Sequence, residues 1–569
     1  MRVLLIDNHD SFTYNLAHLV FQAAGVMPTV VHPEDLTPGH LGLSAPAQNA
    51  QNQPPDYIII SPGPGRPEEY PAWFPGIFHD PPAPILGVCL GFQGMCMAFG
   101  ATLSRAKHPR HGEVTEGHMR YHSLAVTDLP PELEATEVAA DGTLMAARHR
   151  SLPISGVQYH PESIASSGGL ELMREFLGVR TVWCEKLATT APPEVLFQAN
   201  FADAPYAAWL DSSDGSGWSY LCAGEAAVDL DALPHRPADT SAVPCDFALG
   251  WVGWVSYEGE SQLVDVSKCL AISPTGEVWA MGYEPWTPAT TCDVAREPLP
   301  RGPRTLRFDH ATYLAKIRAC QEAIARGDSY ELCLTNSLSF AFPADPLAVY
   351  NQLREEHPAP FASFLRLGDT AVLSTSPERF LRLNHDVLEA KPIKGTRPRG
   401  ATPAEDERLK KELAGSVKDR AENLMICDLL RNDVGRVAVP GSVTVPVVCG
   451  IESFATVHQM VSTIRAEKLP TATPVQCFRA AFPGGSMTGA PKKRSVELLR
   501  ELEQEHPRGI YSGAIGYISL SGAMDWSIVI RTIVVEEGTA TYGMGGAITR
   551  LSDPEEEWQE ILVKAKPVL

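Results

Sequence analysis

Short, uninterrupted apolar runs, VLLI at 3–6, YIII at 57–60 and PILGV at 84–88, alternate with longer stretches of helical character over the first third of the chain. That alternation predicts an α/β domain with a mostly parallel sheet flanked by helices. ELMREFLG at 171–178 reads as its closing amphipathic helix, which puts the first domain at 1–180. LATTAPPE at 187–194, with small residues and paired prolines, marks a linker drawn over 181–195. Beyond it, β-like runs such as FALGWVGWVSY at 247–257 and GAIGYISL at 513–520 mix with helical segments. The pattern predicts one large α+β domain over 196–569. PAQNAQNQPP at 46–55 reads as a mobile excursion.

A chain of 569 residues exceeds one core and fits a few domains. The net charge of −21 argues against a nucleic-acid partner, which needs clustered Lys and Arg. No apolar run reaches membrane-spanning length, and five apolar residues before Asp7 make no signal peptide. Twelve cysteines without framework spacing suit a reducing compartment, so the expected location is cytoplasmic.

PILGVCLGFQG places Cys89 between an apolar strand and a helix, flanked by Gly87 and Gly91. Small neighbours let the chain turn sharply and project a nucleophile at a helix N-terminus, which favours the thiolate. An isolated cysteine in such a run is ordinarily buried and inert. VQYHPES at 157–163 changes the balance. On a strand His160 and Glu162 would share a face, so Glu162 could orient an imidazole that serves Cys89.

Together with DNHDSFTYN at 7–15, SPGPG at 61–65, GVCLGFQ at 87–93 and YHSL at 121–124, these words resemble the class I glutamine amidotransferases that feed chorismate-aminating enzymes. The resemblance implies a Cys89, His160, Glu162 triad, with glutamine held by Gly63, Gly65, Gln93, Ser123 and Leu124. The amide after the nucleophile, that of Leu90, supplies one oxyanion donor. The second falls to a glycine of SPGPG, because Pro64 has no N–H, and Gly63 is favoured.

In the second half SPERF at 376–380, KPIKGTRPRG at 391–400, DRAENLMICDLLRNDVGRV at 419–437, FPGGSMTGAPKKRS at 482–495 and GMGGAITRLSDPEEEWQEILVKA at 543–565 each have a bland alternative as surface helix or loop. In this order they resemble the chorismate-utilising family of anthranilate, aminodeoxychorismate and isochorismate synthases. Chorismate is a dicarboxylate with a poor leaving group at C4. Its site needs a cation, hydrogen-bond donors and an acid. The resemblance implies magnesium on Glu422 and Glu560, with Glu557 and Asp419 nearby. Glu557 and Glu560 fall on one helical face, with Lys564 a turn beyond. Gly395, Thr396, Tyr511, Arg531, Gly545 and Gly546 would bind the substrate, and His458 would sit near its ring. Glu378 would be the general acid, kept protonated by burial.

Position 394 separates the family members. Anthranilate synthases read PIAGT there, whereas this chain reads PIKGT, as aminodeoxychorismate synthases do. Helped by desolvation or by cationic neighbours such as Arg397 and Arg399, Lys394 could add to C2 as the C4 hydroxyl leaves, after which ammonia enters at C4; the alternative is a carboxylate-binding cation. Isochorismate-forming relatives carry a water-activating lysine where this chain has Glu331, so water is a disfavoured nucleophile. The family's glycine triplet is here Gly545, Gly546 and Ala547. WLDSS at 209–213 resembles the element where anthranilate synthases bind tryptophan.

The resulting expectation is a fused, glutamine-dependent enzyme that aminates chorismate at C4, with a separate aminodeoxychorismate lyase acting on its product. The alternatives are an anthranilate or aminodeoxyisochorismate synthase and, from another class, a sensor of glutamine or chorismate.

Overall fold

The structure is a computed structural model that describes residues 1–41, 54–71, 73–234, 236–454 and 457–569. The polar excursion at 46–55 lies almost wholly outside the described residues. Two compact units emerge, the first running Met1–Thr181 together with the described residues 236–239, which include a short strand at Ala238–Asp239, the second comprising Val182–Pro234 and Thr240–Leu569.

The first unit carries a seven-stranded sheet in the order Thr29–Val31, Val3–Ile6, Tyr57–Ile60, Ile85–Val88, Ile154–Val157, Leu144–His149, Leu133–Val138. The first five strands are parallel; the last two join antiparallel. Its central strands are apolar at successive positions because both faces are covered. Val3 and Leu5 pack with helices Thr13–Ala24 and Gly169–Phe176, whereas Leu4 and Ile6 pack with Trp73–His79 and Leu90–Ala98. The candidate nucleophile stands at the C-terminal end of the strand Ile85–Val88, where an α/β sheet presents its ligand sites.

In the second unit twenty strands form one hydrogen-bonded network among the described residues. One core gathers Trp209, Tyr350 and Phe364 with helices His310–Ala325 and Pro554–Ala565. Another gathers Trp526 and Phe478 with helix Val417–Gly435.

Residues 181–195, expected as a linker, contain the strand Trp183–Leu187, paired with Val278–Gly282, and the start of helix Pro193–Phe201. Only the stretch around Thr189–Ala191 between them is irregular. Ala238–Asp239 pairs with Arg180–Thr181, a return that nothing in the local pattern foretells.

Candidate active sites

Cys89 takes φ 50° and ψ −96°, a left-handed conformation that a non-glycine residue adopts at a cost of about 1–3 kcal/mol. The neighbours show why this turn is possible. A Cβ on Gly87 would lie 2.6 Å from the Gly91 carbonyl carbon and oxygen, and one on Gly91 would collide with the Ile60 carbonyl. The backbone N–H of Cys89 donates to the Val157 carbonyl at 2.8 Å, tying the turn to the next strand.

That strand ends at Val157, so His160 and Glu162 stand in the turn after it and do not share a strand face as expected. The turn still joins them. His160 Nδ1 lies 2.7 Å from Glu162 Oε1, both side chains being almost completely buried. His160 Nε2 is buried and has no hydrogen-bond partner among the described residues. Burial opposes charge on this imidazole, but the Cys89 sulfur and the Glu162 carboxylate outweigh it and raise its pKa to about 10. The rings of Tyr121 and Phe12 stand edge-on to it, with centroids at 5.1 and 6.0 Å.

The expected glutamine-binding residues fall on adjoining elements. Leu90 opens the helix, whose first-turn N–H groups have no intrahelical acceptor. Gly63 lies in the loop after Tyr57–Ile60, where a Cβ would come within 2.6 Å of the Asn8 carbonyl oxygen; Gly65 has φ +77°. Asn8 also binds this loop at Ser61, its backbone N–H donating to Ser61 Oγ and its Nδ2 to the Ser61 carbonyl, each at 2.8 Å. Gln93 Nε2 donates to Gln158 Oε1 at 3.1 Å and to the Leu124 carbonyl at 3.4 Å. Ser123 is exposed and meets His111 at 2.9 Å.

The second site is a cavity of about 510 Å³ lined by both cores of the large unit, with Tyr511 and Met487 from one and Tyr542 and Met544 from the other. Glu378, Lys394, Gly395, Thr396, Glu422, Arg531, Gly545, Gly546 and Glu560 all line it. Burial lifts the Glu378 pKa to about 7, against the Ser486 hydroxyl, Lys394 and an Ile393 backbone bond. Lys394 Nζ donates to Glu331 Oε1 at 2.9 Å. Burial disfavours its charge, but Glu331 and Glu422 overcome this and hold its pKa above the ordinary lysine value. Gly543 is required because a Cβ there would penetrate the Tyr511 ring.

Glu557 and His458 are not among the lining residues. Glu557 faces Lys418 at 3.3 Å. His458, expected near the reacting ring, is buried between Asp406 at 3.0 Å and Ser453 at 2.8 Å. Arg399 is also taken up by Asp406. Ser486 and Lys418 were not singled out from sequence, although Ser486 stands inside FPGGSMTGAP and Lys418 adjoins the DRAEN word. WLDSS contributes Leu210, Asp211 and Ser212 to a separate cavity of about 260 Å³ with Arg379, Arg382 and Asp525.

The residues fit a hard divalent cation. Glu422 is buried with Oε1 lacking any hydrogen bond among the described residues, and Glu560 lies on the same cavity wall, 2.8 Å from Lys564. Among the described residues no three His, Cys, Asp or Glu converge in a ready-made cage. Magnesium is held by one or two carboxylates, with water and substrate oxygens completing its shell.

The two units therefore define a glutamine amidotransferase joined to a chorismate-binding domain. Residues 4–179 match the family model for class-I glutamine amidotransferases and residues 267–569 the model for chorismate-binding enzymes. The chain belongs to the aminodeoxychorismate synthase family: it is 41% identical to the aminodeoxychorismate synthase of Streptomyces griseus, over 100% of this chain and 95% of that one. A second such enzyme, from Streptomyces pristinaespiralis, is 37% identical over 100% and 96%. The fold of the large unit resembles anthranilate synthase component I from Streptococcus pneumoniae, with a TM-score of 0.55 and 24% identity over 62% of this chain and 92% of that one. No helix among the described residues is long and apolar enough to cross a membrane.

Proposed function

We propose that this chain moves the amide nitrogen of glutamine to C4 of chorismate, giving 4-amino-4-deoxychorismate. The observation that carries the reading is the pairing, in one cavity, of a largely buried lysine at position 394 with a carboxyl at 378 whose pKa is raised to about 7. In the first unit Cys89 attacks the glutamine amide, His160 carries the proton to the departing ammonia, and Glu162 holds the imidazole in line. The N–H groups of Leu90 and Gly63 stabilise the oxyanion.

In the second unit Lys394 adds to C2 while Glu378 protonates the leaving C4 hydroxyl. Ammonia then enters at C4 and expels the lysine, and Glu378 recovers its proton from the incoming nitrogen. Arg531, Tyr511 and the backbone N–H groups of Gly395, Thr396, Gly545 and Gly546 hold the carboxylates. Glu422 and Glu560 would hold magnesium, with Glu557 oriented behind them by Lys418; the ion neutralises a substrate carboxylate when bound. His458 supports the site from outside by fixing Asp406. The free cysteines fit a reducing, cytoplasmic setting, and a lyase is the expected consumer of the product.

The test is to incubate the chain with chorismate, glutamine and magnesium and identify the product by mass and chromatography. 4-Amino-4-deoxychorismate supports the reading. Anthranilate, an aminated isochorismate-type isomer, or binding without turnover would each replace it.

A further inference from the structure

We propose that Glu331 is the proton acceptor and donor for Lys394 during amination. The inference rests on the reading of Lys394 as nucleophile and assigns the residue that makes its amine available. An ammonium cannot attack carbon. The proton on Nζ must leave before the C2–N bond forms, in a site where Lys394 is only 10% exposed.

Glu331 opens the strand Glu331–Ala341, is 1% exposed, and accepts a hydrogen bond from Nζ through Oε1 at 2.9 Å. Its other oxygen, Oε2, is buried and has no hydrogen-bond partner among the described residues. The backbone beneath it is fixed. Glu331 pairs with Ala490, Ser329 Oγ donates to its carbonyl at 2.8 Å, and a Cβ on Gly489 would collide with that carbonyl. The other ionisable groups acting on Lys394 or Glu378 are committed elsewhere: Glu378 must keep its proton for the C4 hydroxyl, Glu422 is reserved as a ligand that would hold magnesium, and Lys564 bonds to the Gly545 carbonyl and to Glu560. Cys333 is a thiol on the same strand as Glu331.

The steps balance. Glu331 takes the Nζ proton; the amine adds to C2, the two ring double bonds shift, and the C4 hydroxyl leaves as water with the Glu378 proton. Ammonia adds to C4, the double bonds return, the C2–N bond breaks with its electrons on nitrogen, and Glu331 returns the proton to the amine. The C4 ammonium gives its extra proton to Glu378. Charge on the pair is lost and regained within each turnover.

Wild type, Glu331→Gln and Glu331→Asp of the full chain are assayed with saturating ammonia, chorismate and magnesium. Intact mass is measured after chorismate without ammonia. Removing a general base of this kind costs about 10²–10⁴ in rate. The Gln variant should lose at least about 100-fold in kcat with the chorismate KM within about threefold, and form no adduct on Lys394; Asp should fall between it and wild type. A purely structural role would move KM and the thermal midpoint together with kcat. Overturning results are a Gln variant within about threefold of wild-type kcat, a Gln variant at least as active as Asp, or a kcat loss matched by KM. If the Gln variant does not fold, Asp decides: a kcat loss of about tenfold or more at unchanged KM supports the proposal, and any other result overturns it. Wild-type protein that makes 4-amino-4-deoxychorismate without ever forming the adduct would bring down the nucleophile reading, and the proposal with it.

Discussion

Glu378→Gln should stabilise the protein at neutral pH while disabling its amination site. Glu378 is 7% exposed, and burial raises its pKa from 4.5 to about 7. A carboxyl whose folded value lies above its unfolded one carries no penalty below about pH 4.5. The penalty grows as pH rises through that interval, because the unfolded chain releases a proton that the folded chain retains, and is complete above about 7. At about 1.4 kcal/mol per pH unit the interval is worth roughly 3 kcal/mol. The Gln variant lacks the penalty. Relative to wild type its stability should rise by up to about that amount between pH 4.5 and pH 8, read by urea unfolding at both values. Its ammonia-dependent kcat should fall by about 10²–10⁴, or 3–5 kcal/mol of barrier, since an amide has no proton to give the C4 hydroxyl. Wild-type turnover at constant free ammonia should decline above pH 7, about tenfold per unit, as Glu378 ionises. The same stability difference at both pH values would refute the burial argument, and a Gln variant retaining a third of wild-type kcat would refute the acid role.

Cys89→Ser should lower glutamine-dependent synthesis by more than about 10³ while ammonia-dependent synthesis stays within about twofold; loss of both would mean that the two chemistries are not separable. Gly91→Ala drives a methyl against the Ile60 carbonyl, so glutaminase activity should be lost with destabilisation of about 1–3 kcal/mol, and normal glutaminase activity in a thermal-shift-matched sample would contradict the elbow geometry. Glu422→Gln removes an anionic oxygen from a hard cation, so the magnesium concentration for half-maximal amination should rise at least about tenfold; an unchanged magnesium titration would remove Glu422 from the metal site. Lys394→Arg keeps the charge but cannot supply a neutral amine, so amination should fail as it does in Lys394→Ala, and substantial activity in the Arg variant would make Lys394 a binding residue only.

The sequence carried the local signals and lost the relations between distant strands. The runs at 3–6, 57–60 and 84–88 were legible as buried parallel strands because each is apolar at every position, and a strand covered on both faces needs that. The pair His160 and Glu162 was legible too, but by an argument about strand alternation that does not hold past Val157; the turn that joins them depends on the Met119 carbonyl accepting from His160 N–H at 3.0 Å, a contact from another strand. His458 shows the converse. Its neighbours VHQMV suggested a group near the substrate, yet its ring is used by Asp406, which lies 52 residues away on helix Pro403–Gly415. In the sequence Glu331 stands out only as a departure that disfavours water as nucleophile. Lys394 and Glu331 are 63 residues apart and belong to strands that do not pair with each other. Neither local propensity nor periodicity reports that meeting. A lysine beside a carboxylate looks inert as a nucleophile when its charge alone is considered, and becomes competent once the carboxylate is counted as the place its proton goes.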